Sequence, residues 1–218
     1  MKDATRLQWA LWRAGTNPGP IDGVIGDKTN AALTRWRVAL GYGEDFAIGE
    51  LLRQKDLPWI TALVDRLGWH EKRDNARLKN WLGSHGVGVD PEDTPWCGDA
   101  VETALLDALP GVKVPEYPLA SISWLKFGEE LDAISYGCVL VFWRGSPASR
   151  KGHVGFYVSE DNECFHVLGG NQSNRISVSR IAKNRLRPGG IRYPDGQPLI
   201  AGHIYATPAQ LEMTTNEA

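Results

Sequence analysis

The sequence predicts an α+β protein, with a small three-helix N-terminal unit followed by a larger unit whose helices pack on an antiparallel sheet. Three observations carry this. Apolar residues recur at helical spacing through the first half of the chain, as in Leu7, Ala10, Leu11 and Ala14, or Val101, Ala104, Leu105 and Ala108. From Cys138 onward the apolar residues fall instead into short runs rich in valine and aromatics, bounded by glycine and polar turns. Helices that precede strands, rather than alternating with them, give α+β order.

The first helix is expected over residues 3–14, with Asp3 as cap and Gly15 as stop. Asn17-Pro18-Gly19-Pro20 is turn chemistry. Asp27 can cap a second helix that carries Leu33, Trp36 and Leu40 on one face and stops at Gly41. A third is expected from Phe46 to about Lys55. The loop-like Gly41-Tyr42-Gly43-Glu44-Asp45 is read as joining the second and third. Pro58 can open a helix bearing Trp59, Leu63, Val64 and Leu67, and Gly68 ends it. Asp74 can cap another bearing Leu78, Trp81 and Leu82, and a short helix is expected from Ser121 to Phe127. Strands are expected over 138–143, 153–159, 164–168, 176–181 and 199–206. The units are 1–56, 57–207 and a polar tail, 208–218.

Composition narrows the classes of function. The chain has 218 residues, 42% hydrophobic and 23% charged, as a globular protein does. A net charge of −2 argues against nucleic acid as the main partner. No apolar run approaches the length of a membrane span, and the N-terminus lacks the apolar core of a signal peptide. A protein made in the cytoplasm is therefore expected, monomeric and without membrane insertion. Three cysteines do not form a disulfide framework, and without a Cys-x-x-Cys pair they are poor zinc ligands. No cofactor is expected. Most of the nine tryptophans are expected in the core, with some lining a sugar or peptide surface.

The chemistry centres on Thr94-Pro95-Trp96-Cys97-Gly98-Asp99. Pro95 discourages helix before it, and the helical pattern begins after it and stops at Pro110-Gly111. Cys97 therefore stands at a helix N-terminus, where free N–H groups favour a thiolate and can hold an oxyanion. A buried, inert cysteine is the alternative. His153 opens an apolar strand within Gly152-His153-Val154-Gly155-Phe156, and a second strand ends in Gly169-Gly170-Asn171-Gln172. A cysteine, a histidine and a polar side chain are the elements of a thiol nucleophile, its base and the group that orients the base. His153 can equally be an ordinary strand histidine. The loop from Arg144 to Gly152 is basic, with Arg144, Arg150 and Lys151; it is either a solvated hairpin or a contact for acidic groups.

Taken in order, Thr-Pro-Trp-Cys, Val139-Leu140-Val141-Phe142-Trp143-Arg144-Gly145-Ser146-Pro147, Gly-His-Val-Gly-Phe and Leu168-Gly169-Gly170-Asn171-Gln172 resemble the NlpC/P60- and CHAP-type peptidoglycan hydrolases of phages and prophages. The likeness spans roughly Trp59 to Tyr205. It implies a papain-like domain with Cys97 as nucleophile, His153 as base and Asn171 as orienting residue. Substrate contacts are implied at Trp96, Trp143 and Gln172. Gly98-Asp99 departs from the two small residues expected after the cysteine, leaving Asp99 either to complement the helix dipole or to alter the substrate groove. Cys138 departs from a more usual Gly-Asp turn. Asp22, Gly23, Gly26, Thr29, Ala32 and Leu33 are spaced as in the small three-helix peptidoglycan-binding domain, a resemblance covering about residues 3–55. It implies a module that holds an enzyme on the cell wall, with Asp22 and Thr29 as loop and cap residues.

Together the two resemblances imply an endolysin that cleaves an amide of the wall peptide. It would accumulate in the host cytoplasm and reach bacterial peptidoglycan after release. Two other readings stand beside it. One is a zinc peptidase using His153, Glu160 or Asp161, and His203, with His166 as a further imidazole, although no His-Glu-x-x-His helix is present. The other is a wall-binding or virion protein that keeps the fold without catalysis.

Overall fold

The computed structural model describes residues 2–39, 56–85 and 87–200. The third N-terminal helix, the loop before it, His203, nearly all of the strand expected over 199–206 and the polar tail lie outside these residues. Leu199 and Ile200, which are described, are not in strand.

The architecture is α+β. Among the described residues, helices α1 (Lys2–Arg13), α2 (Asp27–Ala39), α3 (Pro58–Val64), α4 (Asn75–Leu82) and α5 (Cys97–Ala108) precede the sheet. The strands are β1 (Glu129–Glu130), β2 (Val139–Trp143), β3 (Gly152–Glu160), β4 (Cys164–Gly169), β5 (Ser177–Ala182) and β6 (Leu186–Tyr193). Their order is β1-β6-β2-β3-β4-β5, and every pairing is antiparallel. No helix among the described residues is long and apolar enough to cross a membrane.

Most elements fall where apolar periodicity and punctuation place them. Gly15 and Gly68 take φ of 76° and 80° where α1 and the turns after α3 end, a left-handed conformation that glycine adopts without steric cost. Asp74 occupies the N-cap position of α4 but makes no cap bond. Its carboxylate instead accepts the His70 N–H at 2.9 Å and pairs with Arg73 and Arg77. The segment Ser121–Lys126 is a 3-10 helix.

Two strands escape the sequence pattern. β6 contains Pro188-Gly189-Gly190, which reads as a turn. It nevertheless pairs with β2, with a register shift between Leu140 and Phe142, and Gly189 adopts φ 68°. β1 is two exposed glutamates long, and its pairing with β6 is its only mark.

Helix α5 is the centre of the larger unit. Every residue from Cys97 to Leu105 is buried, so the helix has no solvent face over that span. It packs between α3 and β3. The core around it includes Trp59, Leu63, Val101, Ala104, Leu140, Val154 and Phe156.

Helix α1 has two apolar sides. Leu7 and Leu11 join Ala32, Leu33 and Trp36 in a separate N-terminal cluster. Trp9 and Trp12 instead belong to the main core. Trp9 Nε1 donates to Asp56 at 2.9 Å, Arg13 pairs with the same carboxylate at 3.0 Å, and the Tyr136 hydroxyl donates to it at 2.9 Å. Arg6 makes a two-point pair with Asp65, both contacts at 2.7 Å. Within the N-terminal unit, the Gln8 carboxamide organises the loop. Its Nε2 donates to the carbonyls of Pro20 and Val24, and its Oε1 accepts from the N–H groups of Asp22 and Gly23. Asp22 is a loop residue, as expected. Thr29 is buried inside α2 and bonds the Pro18 carbonyl, so it does not cap the helix.

Because Trp9 is buried against the larger unit, Trp9→Ala should destabilise the whole chain and not only its N-terminus. A loss of about 3 kcal/mol is expected for a buried tryptophan truncated to alanine. Urea unfolding followed by circular dichroism should show one transition moved to lower urea. Two transitions, with only the minor one moved, would mean that the two units fold independently.

Candidate active site

Cys97 is the first residue of α5. Trp96, before it, is fully buried, and its indole Nε1 lies 3.3 Å from the Glu71 carboxylate. Gly98, after it, faces the Pro118 carbonyl so closely that any Cβ would collide with it. The same carbonyl accepts the Trp124 indole N–H at 2.8 Å. Glycine at position 98 is thus a packing requirement, and the departure from two small residues is Asp99 alone. The main-chain N–H groups of Val154, Gly98 and Cys97 itself act on the sulfur and favour its anion. The influence of Val154 places the sulfur near β3, one residue beyond His153.

His153 is fully buried on β3, opposite Phe142 of β2. Its Nε2 lies 3.1 Å from Gln172 Oε1. The proton can be assigned from the amide. Gln172 Nε2 faces the carbonyls of Ser177 at 2.5 Å and Val167 at 3.2 Å, which can only accept. The NH₂ end must point there, so Oε1 faces the imidazole and His153 Nε2 carries the hydrogen. In neutral His153 the basic nitrogen is therefore Nδ1.

The side chain hydrogen-bonded to His153 is thus Gln172, where the resemblance implies Asn171. Asn171 is buried and has φ 55°. Asparagine tolerates this left-handed conformation better than most residues. It turns the chain after β4 so that the next side chain folds back beneath the strand. Ser173 and Asn174 also have positive φ, at 52° and 63°. The loop is held from outside by Gly68 N–H to Ile176 O at 2.8 Å and Glu71 N–H to Asn174 O at 2.9 Å. Strand alternation alone does not foresee a side chain returning from a left-handed turn. The run of polar residues from Asn171 to Arg175 after Gly169-Gly170 was the one available sign.

The expected substrate contacts separate. Trp96 and Gln172 are fully buried and act inside the protein. Trp143, at the end of β2, is partly exposed and remains available to a ligand.

Burial is the largest influence on the Cys97 thiol and pushes its pKa above the ordinary value, against the expectation of a ready thiolate. The three N–H groups and the positive charge of Arg144 oppose this without reversing it. The thiol needs a base at the moment of attack. Cys138, in an apolar setting, is pushed up to about 12.

Asp99 does not reach a groove. It is fully buried on α5, one helical turn before Glu102, and burial raises both carboxyl groups to about 7. The repulsion of Glu102 adds to the rise at Asp99, and His85 moderates that at Glu102.

Those residues of the zinc reading that are described do not come together as a ligand set, and His203 lies outside the described residues. Among the described residues no group of three His, Cys, Asp or Glu side chains could hold a metal ion. Fully buried His166 bonds the Ser159 hydroxyl at 2.6 Å and Asp161 at 2.8 Å, under the ring of Trp12. Asp161 also pairs with Arg180 at 2.8 Å, and Glu160 with Lys183 at 3.1 Å. No protein-family profile, curated protein or solved structure matches the chain.

Two measurements follow from these environments. Folded-state pKa values above the unfolded ones stabilise the protein at low pH. For Asp99 and Glu102 that contribution is complete below about pH 4 and lost as pH rises to about 7. Stability should fall by roughly 2–4 kcal/mol across that window, and Glu102→Gln should flatten the fall, as read by urea unfolding at each pH. At pH 7, iodoacetamide should alkylate Cys97 more slowly than free cysteine, with the rate still climbing past pH 9. A plateau near pH 7 would show a preformed thiolate instead.

Proposed function

We propose that this chain is a thiol-dependent peptidoglycan hydrolase of NlpC/P60 or CHAP kind, cleaving an amide of the bacterial wall peptide. The observation that carries the reading is the convergence of Cys97, His153 and Gln172. A helix-start sulfur lies near the main chain beside His153, and a fixed carboxamide locks the imidazole tautomer. The ordered motifs of the sequence agree with it, and so does a helical layer followed by an antiparallel sheet, as a papain-like domain would have.

In this mechanism His153 Nδ1 removes the Cys97 proton as the sulfur attacks the amide carbonyl. Proton transfer concerted with attack suits a thiol whose pKa burial has raised. The N–H of Cys97 stands beside the sulfur and can stabilise the oxyanion as it forms. The imidazolium returns the proton to the leaving amine, the C–N bond breaks, and a thioester remains on Cys97. Water, deprotonated by the same nitrogen, releases the acid and regenerates the thiol. Gln172 accepts from Nε2 throughout and holds the ring without adding charge.

The N-terminal unit is proposed to hold the enzyme on the wall. Val24 and Ile25, in the loop organised by Gln8, are 65% and 45% exposed and offer an apolar contact surface.

Digestion of purified peptidoglycan with mass analysis of the fragments tests the activity and identifies the bond. Wild type should release fragments with new amino termini, and Cys97→Ala should release none. Undiminished release by Cys97→Ala would sink the thiol mechanism. Gln172→Ala should lower the rate by about a hundredfold or more, because the buried Nε2–H loses its acceptor and the ring its orientation. Asn171→Gly, which keeps the left-handed turn, should stay within a few-fold of wild type. The opposite ranking would return the orienting role to Asn171.

A further inference from the structure

The hairpin between β2 and β3 carries several cations, and all but one have evident occupation. Buried Arg187 binds the hairpin from below. Its guanidinium donates to the carbonyls of Pro147 at 3.2 Å, Ser149 at 2.6 Å and Lys151 at 3.2 Å. Arg185 donates to the Trp143 carbonyl at 3.1 Å. Arg150 and Lys151 are exposed to water.

Arg144 differs. Its N–H donates to the Lys151 carbonyl at 3.0 Å, just beyond the Trp143–Gly152 pair, so its main chain is fixed by the hairpin. It stands just past the end of β2, two residues beyond Phe142, which pairs with His153. Its side chain is half-buried, yet among the described residues the guanidinium makes no hydrogen bond or ion pair. Its charge nevertheless acts on the Cys97 sulfur. Asp99 and Glu102 are buried within the α5 layer, and Glu71 faces the Trp96 indole. A partly desolvated guanidinium with no anion, at the end of the strand that pairs with His153 and near enough to act on the nucleophile, is suited to receive one.

We infer that Arg144 determines substrate specificity at this site by binding a free carboxylate of the substrate beside the scissile amide. The inference rests on the thiol hydrolase reading above. Peptidoglycan stem peptides carry such carboxylates next to their amide bonds, and in some walls these are amidated. The site would favour the unamidated form.

The experiment uses the full chain and two soluble stem peptides, identical except that the carboxylate flanking the cut bond is free or converted to carboxamide. Wild type should prefer the free acid by about tenfold or more in kcat/KM, expressed mainly in KM. Arg144→Gln should abolish the preference by slowing only the free acid, and Arg144→Lys should keep part of it. A second readout needs no turnover: the ratio of Cys97 labelling by anionic iodoacetate to labelling by neutral iodoacetamide. It should fall several-fold in Arg144→Gln. Equal cleavage of both peptides by wild type, or equal slowing of both by Arg144→Gln with an unchanged labelling ratio, overturns the inference. In the latter case Arg144 would serve the thiol alone. A wild type that cleaves neither peptide but keeps the Arg144-dependent ratio overturns the hydrolase reading and leaves an anion site at Arg144 standing.

Discussion

Helix α5 can sit where it does only because two glycines give it room. A Cβ on Gly98 would collide with the Pro118 carbonyl, and one on Gly170 would come within 2.5 Å of the Trp96 ring and 2.6 Å of the Ala100 methyl. Both approaches are governed by backbone and ring atoms that cannot give way as a flexible side chain could. The Gly170 approach brings the first turn of α5 against the corner where β4 ends, and the Gly98 approach seats the same turn on the loop at Pro118. That corner holds the turn that sends Gln172 back to His153, and α5 holds the sulfur that lies near β3 at Val154. The candidate site is therefore a by-product of close helix–sheet packing, and its precision depends on it.

The site is also unusually dry for its polarity. Cys97, His153, Asn171 and Gln172 are all buried, and Asp99 and Glu102 lie within the same helix layer. Burial has opposite consequences for different groups. It shifts the thiol and the two carboxyl groups toward their neutral forms. It also strengthens the fixed dipoles that act on them, since little water competes. Gln172 exploits this. Its amide nitrogen is anchored by strand carbonyls, so its oxygen has one available direction. A neutral side chain thereby fixes a tautomer in a place where a carboxylate would have to be desolvated.

The N-terminal unit is bound to this arrangement more tightly than a tethered module would be. Trp12 lies over His166, and Asp56 gathers Trp9, Arg13 and Tyr136 into one polar knot. Arg13 also stacks on the Tyr136 ring, with its guanidinium carbon 4.6 Å from the centroid. These contacts join residues far apart in sequence and bury the two tryptophans of α1. An extended surface follows, in which the loop held by Gln8 has a fixed origin relative to the thiol.

By itself the sequence determined the elements whose signals are local. Apolar spacing marked α1, α2, α3, α4 and α5, and glycine or proline marked their ends, because a helix face and a left-handed stop depend on a few neighbouring residues. It likewise placed Cys97 at a helix start and His153 on a strand. It did not determine β6, whose Pro188-Gly189-Gly190 is a turn by local rules and a strand only because β2 supplies partners. Nor did it distinguish Asn171 from Gln172, which are neighbours in the chain. Which of the two faces the imidazole depends on the φ of 55° at Asn171 and on carbonyls from β4 and Ser177. The state of the Cys97 thiol was equally beyond it: a helix N-terminus favours the anion, but the depth of burial, a property of the assembled core, outweighs that effect. Long-range pairing, turn handedness and desolvation are set by atoms distant in sequence, and tertiary structure alone decides them.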